Sequence, residues 1–319
     1  MNTKLKLTVV TAIICAGGFY HYILRAPSDL RDAPASSALG ALEHEAGAVG
    51  ITAPEPALAQ ERGGKLYVAG YPADGVPGRP IEWVYLSGGR FAMGTDDMPG
   101  CEEARPVHEV NMQAFEMSRT LVTVEQYSEC VIHGKCTLPG NDKNSNAGAN
   151  CNWGKDGRQF HPVNCVTWAQ AKQYAQFMHA RLPSEAEFEY AATSGGRSQK
   201  YPWGNNAPTS ELAVFNTGGT MPVCSKSDGN TAQGLCDMAG NVWQWTQDAL
   251  RSSYVSAPAD GSADESAPYS LADGTKTRVI RGGSFYTDTQ SHLRAQFRNG
   301  LKPRDRADHT GFRLVRRPR

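Results

Sequence analysis

The chain has 319 residues, 32 basic and 32 acidic side chains and no net charge at pH 7. That balance argues against a nucleic-acid partner, or any partner chosen by bulk electrostatics. Thirty-three glycines and nineteen prolines point to a loop-rich fold and away from a helical bundle, and the length suits one large domain behind an N-terminal extension.

Lys4 and Lys6 precede a mostly apolar run from Leu7 to Leu24. Cationic residues ahead of such a run read as a signal anchor or signal peptide over residues 1–25, with the lysines kept in the cytoplasm. No small-residue cleavage site follows directly, so an uncleaved membrane anchor with the body in the periplasm or outside the cell is the expectation. Secretion after signal cleavage is the alternative. Residues 26–64 are rich in Ala, Pro, Ser and Glu with little hydrophobic periodicity, and read as a flexible linker. Residues 65–319 are the expected globular domain.

Three helix starts carry capping boxes: Thr123 to Gln126, Thr167 to Gln170 and Ser184 to Glu187. In each, the first side chain accepts from the third backbone N–H beyond it, and the residue there reaches back. The second helix places Trp168, Ala171, Ala175 and Met178 on one face. Pro183 stops it before the third begins. Short apolar runs such as Trp83–Leu86 and Arg278–Ile280 read as strands. Residues 251–275 read as a long surface loop. The class is α+β.

Eight cysteines suit an oxidising compartment. Cys15 lies in the apolar run. Of the remaining seven, Cys130 and Cys136 are expected to pair because they are close, and Cys224 with Cys236 and Cys151 with Cys165 are the next candidates. Spacing alone does not fix connectivity. An odd count leaves one over, with Cys101 the candidate. There is no Cys-x-x-Cys and no zinc-like spacing.

Several blocks stand out in order along the chain: Gly88–Gly94, Arg105–Val110, His161–Trp168, Arg181–Ala192, Tyr201–Asn205, Gly234–Asn241, Gly240–Trp245, Arg281–Phe285 and Gly311–Arg313. Together, over residues 80 to 316, they resemble the formylglycine-generating enzyme, or sulfatase-modifying factor, family. The resemblance implies a C-type-lectin-like fold with little regular secondary structure. It implies much less about chemistry, because one fold hosts many sites.

In the family's best-known member, two cysteines after the Gly-Gly-Ser strand bind copper. Here the first position falls on Thr287 and the second near Gln290 or His292, and no cysteine occurs from Asp237 to Arg319. Cysteine-dependent formylglycine generation is therefore not expected. The resemblance includes members without the pair, of the pyoverdine-maturation type, which implies a repurposed oxidoreductase acting on a small molecule or peptide. Ser284, Asp288, His292 and His309 are the candidate catalytic residues, and Trp243, Ser284 and Thr287 the candidate substrate-binding ones. Asp288, His292 and His309 have the composition of a two-His, one-carboxylate site for iron, with copper the other candidate. The family's structural calcium would map to Asp237, Gly240, Val242 and Gln244, with Gln244 where the family has a glutamate. Trp243 and Trp245 face one side of a strand, as platform or as core. Arg281, Arg294, Arg298 and Arg313 read either as buried pins for loops or as an anion site.

Two functions follow as expectations. One is an exported oxidoreductase. The other is a non-catalytic envelope module whose groove binds a protein, peptide or glycan. A serine hydrolase is disfavoured, because Ser284 has no nucleophile-elbow context.

Overall fold

The computed structural model describes residues 59–62, 65–68, 71–72, 79–140, 150–266 and 276–318. The expected anchor and most of the expected linker lie outside the described residues. The last stretch of that linker is a correction: residues Ala59–Arg62 form strand β1, antiparallel to β2 (Lys65–Val68), which continues to β3 (Tyr71–Pro72).

The rest is built from short pieces. Strand β4 (Trp83–Leu86) pairs with β7 (Phe115–Ser118), and β5 (Gly89–Met93) with β6 (His108–Met112). Three helices follow: α1 (Val124–Ile132), α2 (Trp168–Phe177) and α3 (Glu185–Ala192). Each begins with the expected capping box, both bonds present. Strand β8 (Trp243–Ala249) is central to a sheet of order β10-β9-β8-β11, with β9 at Arg278–Arg281, β10 at Arg298–Leu301 and β11 at Thr310–Gly311. Strand β12 (Val315–Arg316) returns to β7.

Every residue of α3 is buried, and so is every residue of β8. A fully buried helix carrying Glu185, Glu187 and Glu189 must pair those charges. Arg298 and Arg281 meet Glu185, Arg281 also meets Glu189, and Arg181 meets Glu187 at 2.6 Å. Of the four expected arginines, Arg281, Arg298 and Arg313 are at most 3% exposed, and Arg294 is 9% exposed. They pin loops to the core. Trp245 is wholly enclosed, its Nε1–H donating to the carbonyl of Val166 at 3.1 Å.

Disulfides join Cys130 to Cys136, Cys151 to Cys165 and Cys224 to Cys236, the three pairs expected. Cys101 is buried outside them. The 251–275 loop is stitched down over its described part, residues 251–266. The Ser184 hydroxyl donates to the Gly261 carbonyl at 2.7 Å, the Asn111 N–H to that of Ala259, and the buried Tyr254 hydroxyl to Glu185.

Candidate functional site

The chain leaves β9 through Gly282 and Gly283, with φ of 92° and 73°. A Cβ on Gly283 would come within 2.7 Å of the Leu293 side chain, so the turn needs glycine there. Ser284 and Thr287 then close a local turn. The Ser284 N–H donates to Thr287 Oγ1 at 3.0 Å, and Ser284 Oγ accepts from the Tyr286 N–H at 3.3 Å. The two residues are 1% and 6% exposed. Both hydroxyls shape the turn and are enclosed by it. Trp243 takes the core alternative. It is 6% exposed and packs at a tilt against Phe297.

His292 rides a short 3-10 turn, Gln290–Leu293, and lies at a tilt against the Phe297 ring, with ring centroids 4.3 Å apart. It lines a cavity of about 300 Å³ with Asp97, Met98, Cys101, Arg294 and Phe297. Burial lowers its pKa, and Asp288 pulls it part of the way back. Asp288 itself accepts from the Thr289 hydroxyl at 3.0 Å. Asp97 and Arg294 also line a second cavity of about 550 Å³, where Lys200 lies 3.2 Å from Asp97. Asp97, Met98 and Lys200 carry no signal in the sequence, because they arrive from distant loops.

His309 has a different partner. Its Nδ1 lies 3.4 Å from Asp308 Oδ1, and its carbonyl accepts the Trp243 N–H at 2.8 Å. The hydrogen bond to His309 holds the Asp308 carboxyl below the usual range, with the Asn150 N–H adding to it. Asp308 was missed; the adjacent Asp-His pair was the available signal. Among the described residues no three His, Cys, Asp or Glu side chains are grouped to hold a metal ion. Asp288, His292 and His309 therefore do not assemble the expected iron or copper site.

Asp237, Gly240, Val242 and Gln244 do lie together, where the chain enters β8. Asp237 takes a left-handed φ of 52°, and its carboxylate accepts the Cys224 N–H at 2.8 Å. The Gln244 amide is engaged on both sides, by Arg313 and by the Asp237 carbonyl.

The comparisons agree with this architecture. The sulfatase-modifying factor enzyme 1-like domain matches residues 74–318. The chain is 31% identical to hercynine oxygenase of Mycolicibacterium smegmatis over 81% of its own length and 67% of the relative's. It is 30% identical to the formylglycine-generating enzyme of Streptomyces coelicolor, covering 83% of this chain and 96% of that one. It spans only 38% of the length of the chlamydial serine/threonine-protein kinases it also matches. The solved structure of PvdO from Pseudomonas aeruginosa superposes with a TM-score of 0.63 at 27% identity, covering 83% of this chain and all of that one. The chain belongs to the sulfatase-modifying factor enzyme 1-like, or formylglycine-generating-enzyme-like, domain family.

Proposed function

We propose that this protein is an exported, membrane-anchored oxidoreductase of the family, acting on a small molecule or peptide in the cavity beside His292. The observation that carries the reading is that cavity. It sets an imidazole, held on an aromatic ring and with its pKa lowered by burial, against about 300 Å³ of space. A neutral imidazole accepts a proton or a hydrogen bond at neutral pH. Cysteine-pair copper chemistry is outside the proposal, since no cysteine follows Cys236. The candidate donors for iron or copper, Asp288, His292 and His309, are not grouped. Three disulfides support a body held in an oxidising compartment. The lysines and apolar run at the N-terminus support the anchor.

The test is oxygen uptake by the purified full chain supplied with a low-molecular-weight envelope extract, wild type against His292→Ala. Uptake that disappears in the variant supports catalysis at this cavity. Uptake that is absent from the wild type, or unchanged in the variant, rejects it.

A second reading is a non-catalytic envelope module. The enclosed Ser284 and Thr287 hydroxyls favour it, as does Tyr286, which is 59% exposed beside them. That module would retain a protein, peptide or glycan partner in His292→Ala and lose it in Tyr286→Ala.

A further inference from the structure

The Gln244 amide shows what became of the family's calcium position. A calcium site needs oxygen atoms turned towards a shared point, and a side-chain amide offers only one. In this chain that oxygen is already taken: the Arg313 Nε–H donates to Gln244 Oε1. Turning the amide over would put its NH₂ group against the Arg313 N–H, donor facing donor. Arg313 therefore fixes the orientation. The Gln244 Nε2–H then points at the backbone carbonyl of Asp237 and donates to it at 2.8 Å. At the place where the family's glutamate would offer an oxygen to calcium, this chain presents an N–H.

Arg313 is itself held firmly. Its Nη1 donates to the carbonyls of Ser118 at 3.1 Å and Arg119 at 3.4 Å, and its Nη2 to those of Cys236 at 2.6 Å and Asp237 at 3.3 Å. With Nε on Gln244, all three guanidinium nitrogens have acceptors, although the side chain is fully enclosed. The Asp237 carbonyl thus receives two N–H donors, one from Arg313 and one from Gln244. The Asp237 carboxylate receives the Cys224 N–H at 2.8 Å. One buried carboxylate already sits near one buried guanidinium, and a divalent cation would add charge that nothing here balances.

We infer that Arg313 and the reversed Gln244 amide replace calcium at the entry to β8, so that this corner of the fold is held by internal hydrogen bonds and needs no ion at Asp237. Gln244 is then the residue that decides ion dependence. Restoring a carboxylate there removes the N–H donor that faces the Asp237 carbonyl and puts two oxygens in its place.

The experiment uses the purified full chain, with calcium chloride as the probe and a chelator as the control. Wild type is expected to unfold at the same temperature, within about 1 °C, in 1 mM calcium and in excess chelator. Gln244→Glu is expected to unfold at a lower temperature than wild type in chelator and to recover on adding calcium. Titration calorimetry should show at least a tenfold gain in calcium affinity for that variant. If Gln244→Glu is too unstable to purify in chelator, the wild-type measurement still decides. One calcium held per wild-type chain, with a fall in unfolding temperature in chelator, both lost in Asp237→Asn, would overturn the inference. So would a Gln244→Glu protein that gains no calcium response.

Discussion

Arg298→Met tests the buried charge network that ties α3 to the C-terminal sheet. Glu185 opens α3 and is 4% exposed. Burial drives its pKa up, but Arg298 and Arg281 outweigh that and hold it below the usual carboxylate range. Arg298 grips it through two nitrogens, with Nη2 at 2.8 Å, and its guanidinium lies over the Tyr254 ring at 4.2 Å. Methionine has a similar volume and no charge, so the change leaves a carboxylate stranded in the core. Removing one partner of a buried pair costs about 3–5 kcal/mol. Arg281 at 3.3 Å and the Tyr254 hydroxyl at 3.1 Å remain, which places the expected loss near the lower end, about 3 kcal/mol. The domain spans residues 74–318, and domains of that size melt about 2–4 °C lower per kcal/mol lost. The unfolding temperature should therefore fall by roughly 6–12 °C, read by calorimetry at pH 7. The double variant Glu185→Leu with Arg298→Met should recover part of the loss, because the stranded charge is gone. A fall below about 2 °C in the single variant, or no recovery in the double, would refute the reasoning.

Other outcomes follow from single contacts. Burial, then Glu185, raises the Asp248 pKa to about 7, against an ordinary carboxylate value near 4 in the unfolded chain. Its contribution to stability is full below about pH 4 and is lost as pH rises through about 7. The decline in unfolding temperature between pH 5 and 8 should thus be shallower in Asp248→Asn, as a pH series of melts would show. Ser284→Ala should cost less than about 1 kcal/mol in a denaturant titration, because its hydroxyl accepts only one long bond. Gly88→Ala should cost at least about 2 kcal/mol in the same assay: φ is 72°, and a Cβ would lie 2.5 Å from the Met112 carbonyl oxygen. Replacing Cys224 and Cys236 by serine opens a link between residues 12 apart, and should cost about 2–4 kcal/mol by chemical denaturation.

What could be read from the sequence was local. Each capping box is decided within four residues, and all three formed. The disulfides join cysteines 6, 14 and 12 residues apart, within reach of a reading by proximity. The non-local terms were not legible. Glu185 and Arg298 are 113 residues apart, and nothing in the sequence named them as partners. Asp97, Met98 and Cys101 reach the His292 cavity from a loop almost 200 residues earlier, a juxtaposition that only the fold creates. Asp288, His292 and His309 had the right composition for a metal site and the wrong placement, because His309 turns to Asp308. The linker reading missed β1, since a four-residue strand rests on its pairing with β2 and has no periodicity long enough to see.

The residues that carry the family resemblance are the ones that hold the fold. Gly282 and Gly283 supply the turn, Trp245 fills the core, Arg281 and Arg313 pin carbonyls, and Phe312 packs among Tyr127 and Tyr174. Each is enclosed, so each can be satisfied without any substrate. Chemistry needs access, and the accessible groups lie elsewhere: His309 beside Asp308, the cavity wall at His292, and the Asp97–Lys200 rim. These positions sit on turns between the sequence blocks or at their edges. Such positions can change while the scaffold stays intact. The enclosed residues account for the fold, so a variant at His292 tests the proposed function more directly than one at any of them.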